Sequence, residues 1–318
     1  MWKIFLRPAM IFFPFLFGAL LQIHYRWSWQ YGNTDLTVWI IRMILIIMAY
    51  FICLQVSLKS LKPHKNHFVI VILNILMGLI PYLILHWMNF EILALVAFFI
   101  GVTPTANAAP VIMTFLHGRI GYMLTGFVCT NVFISLALIG LLPWITGQMN
   151  QMYITRLTEQ LLLLICLPMV TAAITRYFYP KAKDWGRKTK NFNFFLWCMV
   201  LFVISAKSTN YFIHTQHLSW GSCIIIFFLA GLICFLNFFI GRIITSKRYC
   251  RESSQILGQK NTAFTMFLAI SFGGPSGAFI ALGPTFYVFW HNMWNAIQIF
   301  MYDKRKNEKY RRNHMHNP

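Results

Sequence analysis

Four consecutive polar residues, Gln259, Lys260, Asn261 and Thr262, lie inside the apolar stretch ILGQKNTAFTMFLAISFGG at 256–274. An ammonium group within a segment that is apolar enough to enter a bilayer costs at least about 2.5 to 3.5 kcal/mol on insertion scales. Ionisable residues in such segments line ion or substrate pathways, proton relays or ligand sites. The polar cluster is therefore the first candidate for a functional site.

The composition is that of a membrane protein. Hydrophobic residues make up 58% of the 318-residue chain, charged residues only 11%, and the mean hydropathy is +0.61. A soluble globular chain carries about 25% charged residues. Unbroken apolar runs such as MILIIMAYFICL at 43–54 exclude a β-barrel, whose strands alternate apolar and polar positions. The sequence therefore predicts an all-α, multi-pass membrane protein.

Ten apolar windows have about the length, roughly 20 residues, that a helix needs to cross a bilayer. With ten spans, both termini lie on the same side of the membrane. The predicted transmembrane helices are at residues 9–24, 36–57, 68–87, 90–116, 120–145, 157–178, 191–212, 218–244, 254–273 and 277–301.

Lysine and arginine residues divide unequally between the two sides of these helices. All but five of the 27 lie on the side of the termini, and the opposite loops hold only Arg26, Arg156 and Lys207. Basic loops are retained in the cytoplasm, so we expect a cell-membrane protein with both termini cytoplasmic. The net charge of +20 then indicates contact with the lipid bilayer and its anionic headgroups, and no nucleic-acid partner is expected. The sequence does not indicate an oligomeric state.

The fourth and the ninth predicted helices are interrupted in the middle. The fourth contains Gly101, Pro104 and Pro110, and the ninth contains Gly258 directly before the polar cluster. Proline removes a backbone donor and clashes with the preceding turn, so we expect the fourth helix to unwind around residues 102–107. Unwound backbone at membrane depth persists only where protein or a water-filled cavity satisfies it.

These two helices hold corresponding positions in two halves of five helices each. Because each half has an odd number of spans, the halves have opposite orientation. Interrupted helices at matching positions of inverted halves indicate a transporter binding site near the middle of the membrane. We predict a first repeat at 1–147, a second, inverted repeat at 148–303, and a basic cytoplasmic tail at 304–318.

Polar side chains near the two breaks are the candidate substrate- or ion-binding residues. TANAA in the fourth helix aligns with QKNTA in the ninth, which pairs Asn107 with Asn261. Asn74 in the third helix, and Thr130 and Asn131 in the fifth, can line the same cavity or act as interhelical hydrogen-bond partners. The candidate set is Asn74, Thr105, Asn107, Thr130, Asn131, Gln259, Lys260, Asn261 and Thr262, with no catalytic residue and no metal ligand.

Two segments resemble the bile acid:sodium symporter family and its bacterial relatives. TPTANAAPVIMTFLHGR at 103–119 is similar to that family's Gly- and Ser/Asn-rich fourth-helix segment, which leads to a basic turn. LGQKNTAFTMFLA at 257–269 is similar to its ninth-helix motif E-x-G-x-Q-N. Ten spans in two inverted halves cover the whole chain in the same order. The resemblance implies a panel domain and a core domain, with substrate and sodium bound where the fourth and ninth helices cross.

The chain departs from the family's pattern at the positions that bind sodium. Aligning Gly258 and Asn261 with the motif places Ile256 where the family has its sodium-binding glutamate and Lys260 where it has glutamine. Sodium, as a hard cation, requires several oxygen ligands. We therefore expect no coupling to sodium through the usual sites. The other positions at which the family offers oxygen ligands hold Ala109, Pro110, Met123 and Phe127, and a third-helix glutamine falls near Leu76, with Asn74 close by.

Three roles remain open for Lys260. All seven acidic residues fall in loops or at the ends of spans, whereas Lys260 lies about 12 Å along its helix at 1.5 Å per residue. Its ammonium can act as a tethered cation in the place of the missing sodium, or bind an anionic substrate. Alternatively, its four-carbon stem can extend to the cytoplasmic surface. A buried amine can also release its proton, which leaves coupling to protons open.

Together these features predict a secondary transporter that moves a small organic anion by alternating access, without a cofactor. An enzyme is not expected, because the spans contain neither paired aspartates nor a metal-binding motif such as H-E-x-x-H. Two alternatives remain. One is a channel, although the sequence has no ring of pore-lining charges. The other is a membrane receptor or sensor of the same fold that does not transport.

Overall fold

The structure, a computed structural model, describes residues 13–14, 16–24, 34–54, 61–106, 108–214 and 220–315. This part of the chain is helical, and it contains no β-strand beyond one isolated pair of bridged residues. The predicted all-α fold class is therefore confirmed over the described residues.

The helices are numbered in chain order, and their bounds are as follows: α1 (13–14 and 16–24), α2 (Thr34–Cys53), α3 (Lys65–Trp87), α4 (Glu91–Gly101), α5 (Ala109–Phe115), α6 (Ile120–Thr146), α7 (Gln151–Phe178), α8 (Trp185–Lys188), α9 (Lys190–His214), α10 (Trp220–Ile243), α11 (Cys250–Gly258), α12 (Thr262–Phe272), α13 (Gly277–Ile280) and α14 (Leu282–Met315). Two short 3-10 turns, Pro180–Asp184 and Gly274–Ser276, precede α8 and α13.

Four of the described helices, α3, α6, α7 and α10, are long and apolar enough to cross a membrane by their length and composition. Shorter apolar helices occur in α2, α4, α9 and α12. This pattern supports a membrane protein. Over the described residues each predicted window overlaps a helix or an interrupted helix, although α14 continues to Met315, past the predicted end at 301. The number of spans that cross the bilayer stays a prediction.

The connection between α6 and α7 shows how local chemistry ends one helix and starts the next. Gly147 follows α6 with a φ of 67°, a left-handed conformation that glycine adopts without a Cβ penalty. Asn150 precedes α7, and its side-chain oxygen accepts the Tyr153 N–H at 2.7 Å as an N-cap. The two long helices are therefore joined by a short turn at the predicted boundary between the halves.

The helices pack in two groups. In one group α2 packs against α7 and α9, and Arg42 of α2 donates a hydrogen bond to the Gln160 side chain of α7 at 2.8 Å. In the other group α3 packs against α4 and α6, and α10 packs against α11 and α14. The α3–α4 contact is close enough that a Cβ on Gly101 would overlap Met77 O and the backbone of Gly78. The groups meet where α6 contacts α7 and where α12 contacts α2.

Candidate functional site

Both predicted helix breaks are present. The first separates the end of α4 at Gly101 from the start of α5 at Ala109, which agrees with the unwinding expected around 102–107. Pro110 does not contribute to the break, because it lies in the first turn of α5, where a missing N–H costs nothing. The second break separates the end of α11 at Gly258 from the start of α12.

The two breaks pair with each other through their backbones. Thr105 and Lys260 form an antiparallel bridge. The Ala106 N–H donates to Gln259 O at 2.7 Å, and the Asn261 N–H donates to Pro104 O at 2.7 Å. Unpaired backbone groups away from water are costly, so each extended segment satisfies groups that the other leaves open.

The Lys260 side chain lies within the protein and is only 1% exposed. Its Nζ donates to Asn74 Oδ1 at 2.9 Å and to Gly101 O at 2.8 Å. Gly101 is the last residue of α4, so its carbonyl lies at the negative end of that helix dipole. The ammonium therefore links α3, the end of α4 and the second break.

These contacts discriminate among the three roles that the sequence left open for Lys260. A side chain that extended to the membrane surface would be exposed, and this one is buried. A group that binds substrate would face a cavity, and Lys260 does not line the cleft described below. Instead, its two acceptors are Gly101 O, at the C-terminus of α4, and Asn74 Oδ1, inside α3. The Lys260 side chain is therefore bound within the protein, away from both the membrane surface and the cleft.

Hydroxyl and amide groups of α6 support the first break. Thr105 is fully buried and donates its hydroxyl to Ile256 O at 2.6 Å. The Thr130 hydroxyl lies 2.7 Å from that of Thr105, and Asn131 donates its amide to Thr105 O at 3.0 Å. Thr130 and Asn131, the candidates from the fifth predicted span, which is α6 in the structure, therefore contact the first break. They form hydrogen bonds to the backbone and to the side chain of Thr105.

Gln259 belongs to a chain of buried side-chain amides that sequence reasoning missed. Asn295 of α14 donates its amide to Gln259 Oε1. Gln255 in turn donates to Asn295 Oδ1 at 3.0 Å and to Gln298 Oε1 at 2.9 Å. The signal was available, because Asn292, Asn295 and Gln298 recur every three residues along an otherwise apolar part of α14.

Tyr287 was also missed, although it satisfies the end of α11. Its hydroxyl donates to Gly258 O at 2.7 Å, and the residue is fully buried. Directly after the break, the Asn261 side chain caps α12 by accepting the Phe264 N–H at 3.3 Å. Thr262 is buried as the first residue of α12, and its N–H donates to Lys260 O at 2.9 Å.

A cleft of about 40 Å³ lies beside the paired breaks. Asn131 and Asn261 contribute amide groups to its lining, which is otherwise mainly apolar and includes Phe127, Phe264 and Met169. One water molecule needs about 10 to 15 Å³ of such space, so the cleft holds roughly three. An organic solute would fit only if α2 and α7 moved away from α6 and α12.

Away from this cleft, the start of α7 and the end of α12 are in direct contact. The Tyr153 hydroxyl donates to Phe272 O at 3.0 Å, and the two rings lie edge to face with centroids 5.2 Å apart. A second cleft, of about 190 Å³, lies beside this contact and is lined in part by Gln148, Arg156 and Ser271. The smaller cleft lies towards the opposite end, in the last half of α2 and the first half of α6.

Most of the predicted site residues that the structure describes come together at the paired breaks. Asn107 lies outside the described residues. Of the others, Asn131 and Asn261 face the cleft, whereas Asn74, Thr105 and Lys260 hold the breaks together from within. No protein-family model and no curated protein matches this chain.

Proposed function

We propose that this protein is a secondary transporter that moves a small organic anion across the cell membrane by alternating access. The observation that best supports this proposal is the backbone pairing of two interrupted helices next to a cleft between the two helix groups. Unwound segments of this kind in membrane transporters form the substrate and ion site.

In the proposed topology the ten predicted spans form two inverted repeats, 1–147 and 148–303. The panel domain comprises α1, α2, α7 and α9, and the core domain comprises α3 to α6 and α10 to α14, with the interrupted helices crossing in the core. The packing of α2 on α7 and α9, and of α10 on α11 and α14, supports this division. Both termini are proposed to be cytoplasmic, including the basic tail at 304–318.

With this topology the cleft beside the breaks lies in the half of α2, α6 and α7 that is nearer the cytoplasmic loops. The larger cleft lies on the outer side. Between Tyr153 and Phe272, which line that larger cleft, a contact joins α7 to α12. Transport then requires the panel to move relative to the core, so that this contact breaks and the cleft opens outwards.

Lys260 is proposed to replace the coupling ion. Its ammonium, bound by Asn74 and Gly101, supplies the positive charge that stabilises the paired breaks, so transport does not depend on a sodium gradient. The anion would be held in the cleft by the side-chain N–H groups of Asn261, because those of Asn131 already donate to Thr105 O and Phe127 O. Coupling to protons stays open.

Uptake by the purified protein in liposomes tests this proposal. A thermal-shift screen against small organic acids first selects a ligand, because a ligand stabilises the state that it binds. Labelled ligand is then offered to the liposomes with sodium or potassium as the only cation. We expect saturable uptake that is equal in both salts and is accelerated by unlabelled ligand inside the liposomes.

Three other results would contradict the proposal, each in a different way. No uptake of any stabilising ligand would exclude transport and favour a receptor or sensor. Flux that does not saturate and is not accelerated by internal ligand would indicate a channel. Uptake in sodium but not in potassium would retain the transporter and reject Lys260 as the replacement for the ion.

A further inference from the structure

The turn between α5 and α6 is joined to the first turn of α11. The backbone N–H of Arg119, which precedes α6, donates to Glu252 Oε1 at 2.7 Å. In the opposite direction, Arg251 donates its guanidinium to Leu116 O at 3.1 Å. Glu252 is only 2% exposed, although it is in the first turn of α11. The turn that follows the first interrupted helix and the start of the second, with Tyr249 directly before it, therefore form one unit.

Several cationic or basic side chains surround the ring of Tyr249 in this unit. One face of the ring is covered by Tyr122, which stacks on it with centroids 4.2 Å apart and planes 10° apart. The guanidinium carbons of Arg119 and Arg248 lie 5.2 Å and 5.4 Å from the ring centroid. The His64 ring lies 5.6 Å from it.

The charge around Tyr249 is not balanced by the described side chains. Neither Arg119 nor Arg248 forms an ion pair with a carboxylate whose side chain the structure describes. The nearest acid, Glu252, accepts the backbone N–H of Arg119 and not its guanidinium. Both guanidinium groups lie close to the same ring, so an anion within reach of both would be stabilised by each.

Phosphate is the anion whose geometry suits this arrangement. A guanidinium presents a planar fork of donors that matches the oxygens of a phosphate or carboxylate, and it keeps this fork while it stacks on an aromatic ring. In the proposed topology Tyr249 lies at the cytoplasmic ends of α6 and α11, at the depth of lipid headgroups. Basic pockets at that depth bind phosphate-bearing headgroups.

We propose that Arg119 and Arg248, supported by Tyr249, form a binding site for a phosphate group at the cytoplasmic end of the core. The phosphate is either the phosphodiester of an anionic lipid headgroup or a soluble phosphate. Its binding holds together the turn that follows the first interrupted helix and the start of the second. This site concerns binding and not uptake, so it can be tested whether or not the protein transports a solute.

Thermal unfolding of the purified full chain in detergent tests the site and separates the two sources. One arm compares phosphatidylglycerol with phosphatidylcholine at equal lipid concentration. A second arm compares inorganic phosphate with chloride at equal ionic strength. The double variant Arg119→Gln/Arg248→Gln removes both guanidinium groups but retains the backbone N–H of residue 119. The matched control is Lys181→Gln/Lys183→Gln, which removes two charges from exposed lysines in another basic turn.

We expect phosphatidylglycerol to raise the unfolding midpoint of the wild type and of the control by several degrees more than phosphatidylcholine does. The double variant should lose this difference. A comparable rise with inorganic phosphate, again lost in the double variant, would identify a soluble phosphate as the source. The proposal is overturned if neither probe raises the wild-type midpoint, or if the double variant and the control respond alike. Should the double variant not fold, Arg248→Gln alone replaces it, because that side chain has no hydrogen bond to a described residue.

Discussion

The two helix breaks pair with each other, yet the helices that lead into them end in different ways. The last carbonyl of α4, at Gly101, accepts an ammonium from Lys260, whereas the last carbonyl of α11, at Gly258, accepts a neutral hydroxyl from Tyr287. Each helix C-terminus carries about half a negative charge, so both ends favour a donor, but in the proposed function only the first receives a full positive charge.

This difference shows that the first break depends on the second half of the chain. Lys260 lies within the second break, and it stabilises the end of α4 from there. Tyr287 also belongs to the second half, and it stabilises α11 of that same half. Damage to the second break should therefore destabilise both breaks, whereas loss of the Tyr287 contact should remain local.

The largest effect is expected for Lys260→Met, which keeps most of the side-chain volume but removes the ammonium. Asn74 Oδ1 and Gly101 O are then left without a donor, at a cost of about 1 to 3 kcal/mol for each. A chemical denaturation series in detergent measures this loss. Lys183→Met, at an exposed lysine, is the control and should leave stability unchanged. If Lys260→Met and Lys183→Met were equally stable, the Lys260 ammonium would not stabilise the paired breaks.

A smaller effect, and a difference between the breaks, is expected for Gly101→Ala and Gly258→Ala. A Cβ on Gly101 would meet backbone atoms of α3, which cannot move away alone, whereas a Cβ on Gly258 would meet only side-chain atoms, those of the buried Phe238 ring. Overpacking costs typically about 1 to 3 kcal/mol, and Gly101→Ala should lie at the upper end of this range.

Gly140→Ala is the matched control for both variants. Gly140 lies inside α6, and a Cβ there would meet nothing within 4 Å. Because alanine favours the helix by about 1 kcal/mol over glycine, this variant should be neutral or more stable. A thermal unfolding midpoint that is lower for Gly258→Ala than for Gly101→Ala would contradict this expected order.

The smallest effect is expected for Tyr287→Phe. The variant leaves one buried acceptor, Gly258 O, without its donor, at a cost of about 1 to 3 kcal/mol, where Lys260→Met leaves two. Tyr177→Phe, at a ring that is 82% exposed, serves as the control. If Tyr287→Phe destabilised the protein as much as Lys260→Met, the Lys260 side chain would stabilise the end of α4 no more than Tyr287 stabilises the end of α11.

The positions of the breaks could be predicted from sequence because glycine and proline act locally. Pro104 cannot continue a helix, and Gly258 precedes a polar cluster that has no reason to lie in hydrocarbon. The burial of the ionisable residue Lys260 followed from the same cluster. Asn74 could be chosen as a candidate because it is a polar residue within an apolar span.

The direction of the Lys260 side chain could not be predicted in the same way. Lys260 is in extended backbone, and its orientation depends on pairing with Thr105, which is 155 positions earlier in the chain. Local sequence does not encode which of two broken helices receives the ammonium. The spacing of Asn292, Asn295 and Gln298 marks a polar stripe on α14, but that Gln255 and Gln259 are its partners depends on contacts about 40 residues apart in the chain.

The most direct test of the tethered cation is rescue of Lys260→Ala by a small cation in solution. The variant leaves space for a cation beside Asn74 Oδ1 and Gly101 O, which methylammonium can occupy and the bulkier choline cannot. The unfolding midpoint of the variant is measured across increasing methylammonium chloride, with choline chloride at equal ionic strength. We expect the midpoint to start below that of the wild type and to rise with methylammonium alone. A variant that matches the wild type in choline, or that does not respond to methylammonium, would contradict the account.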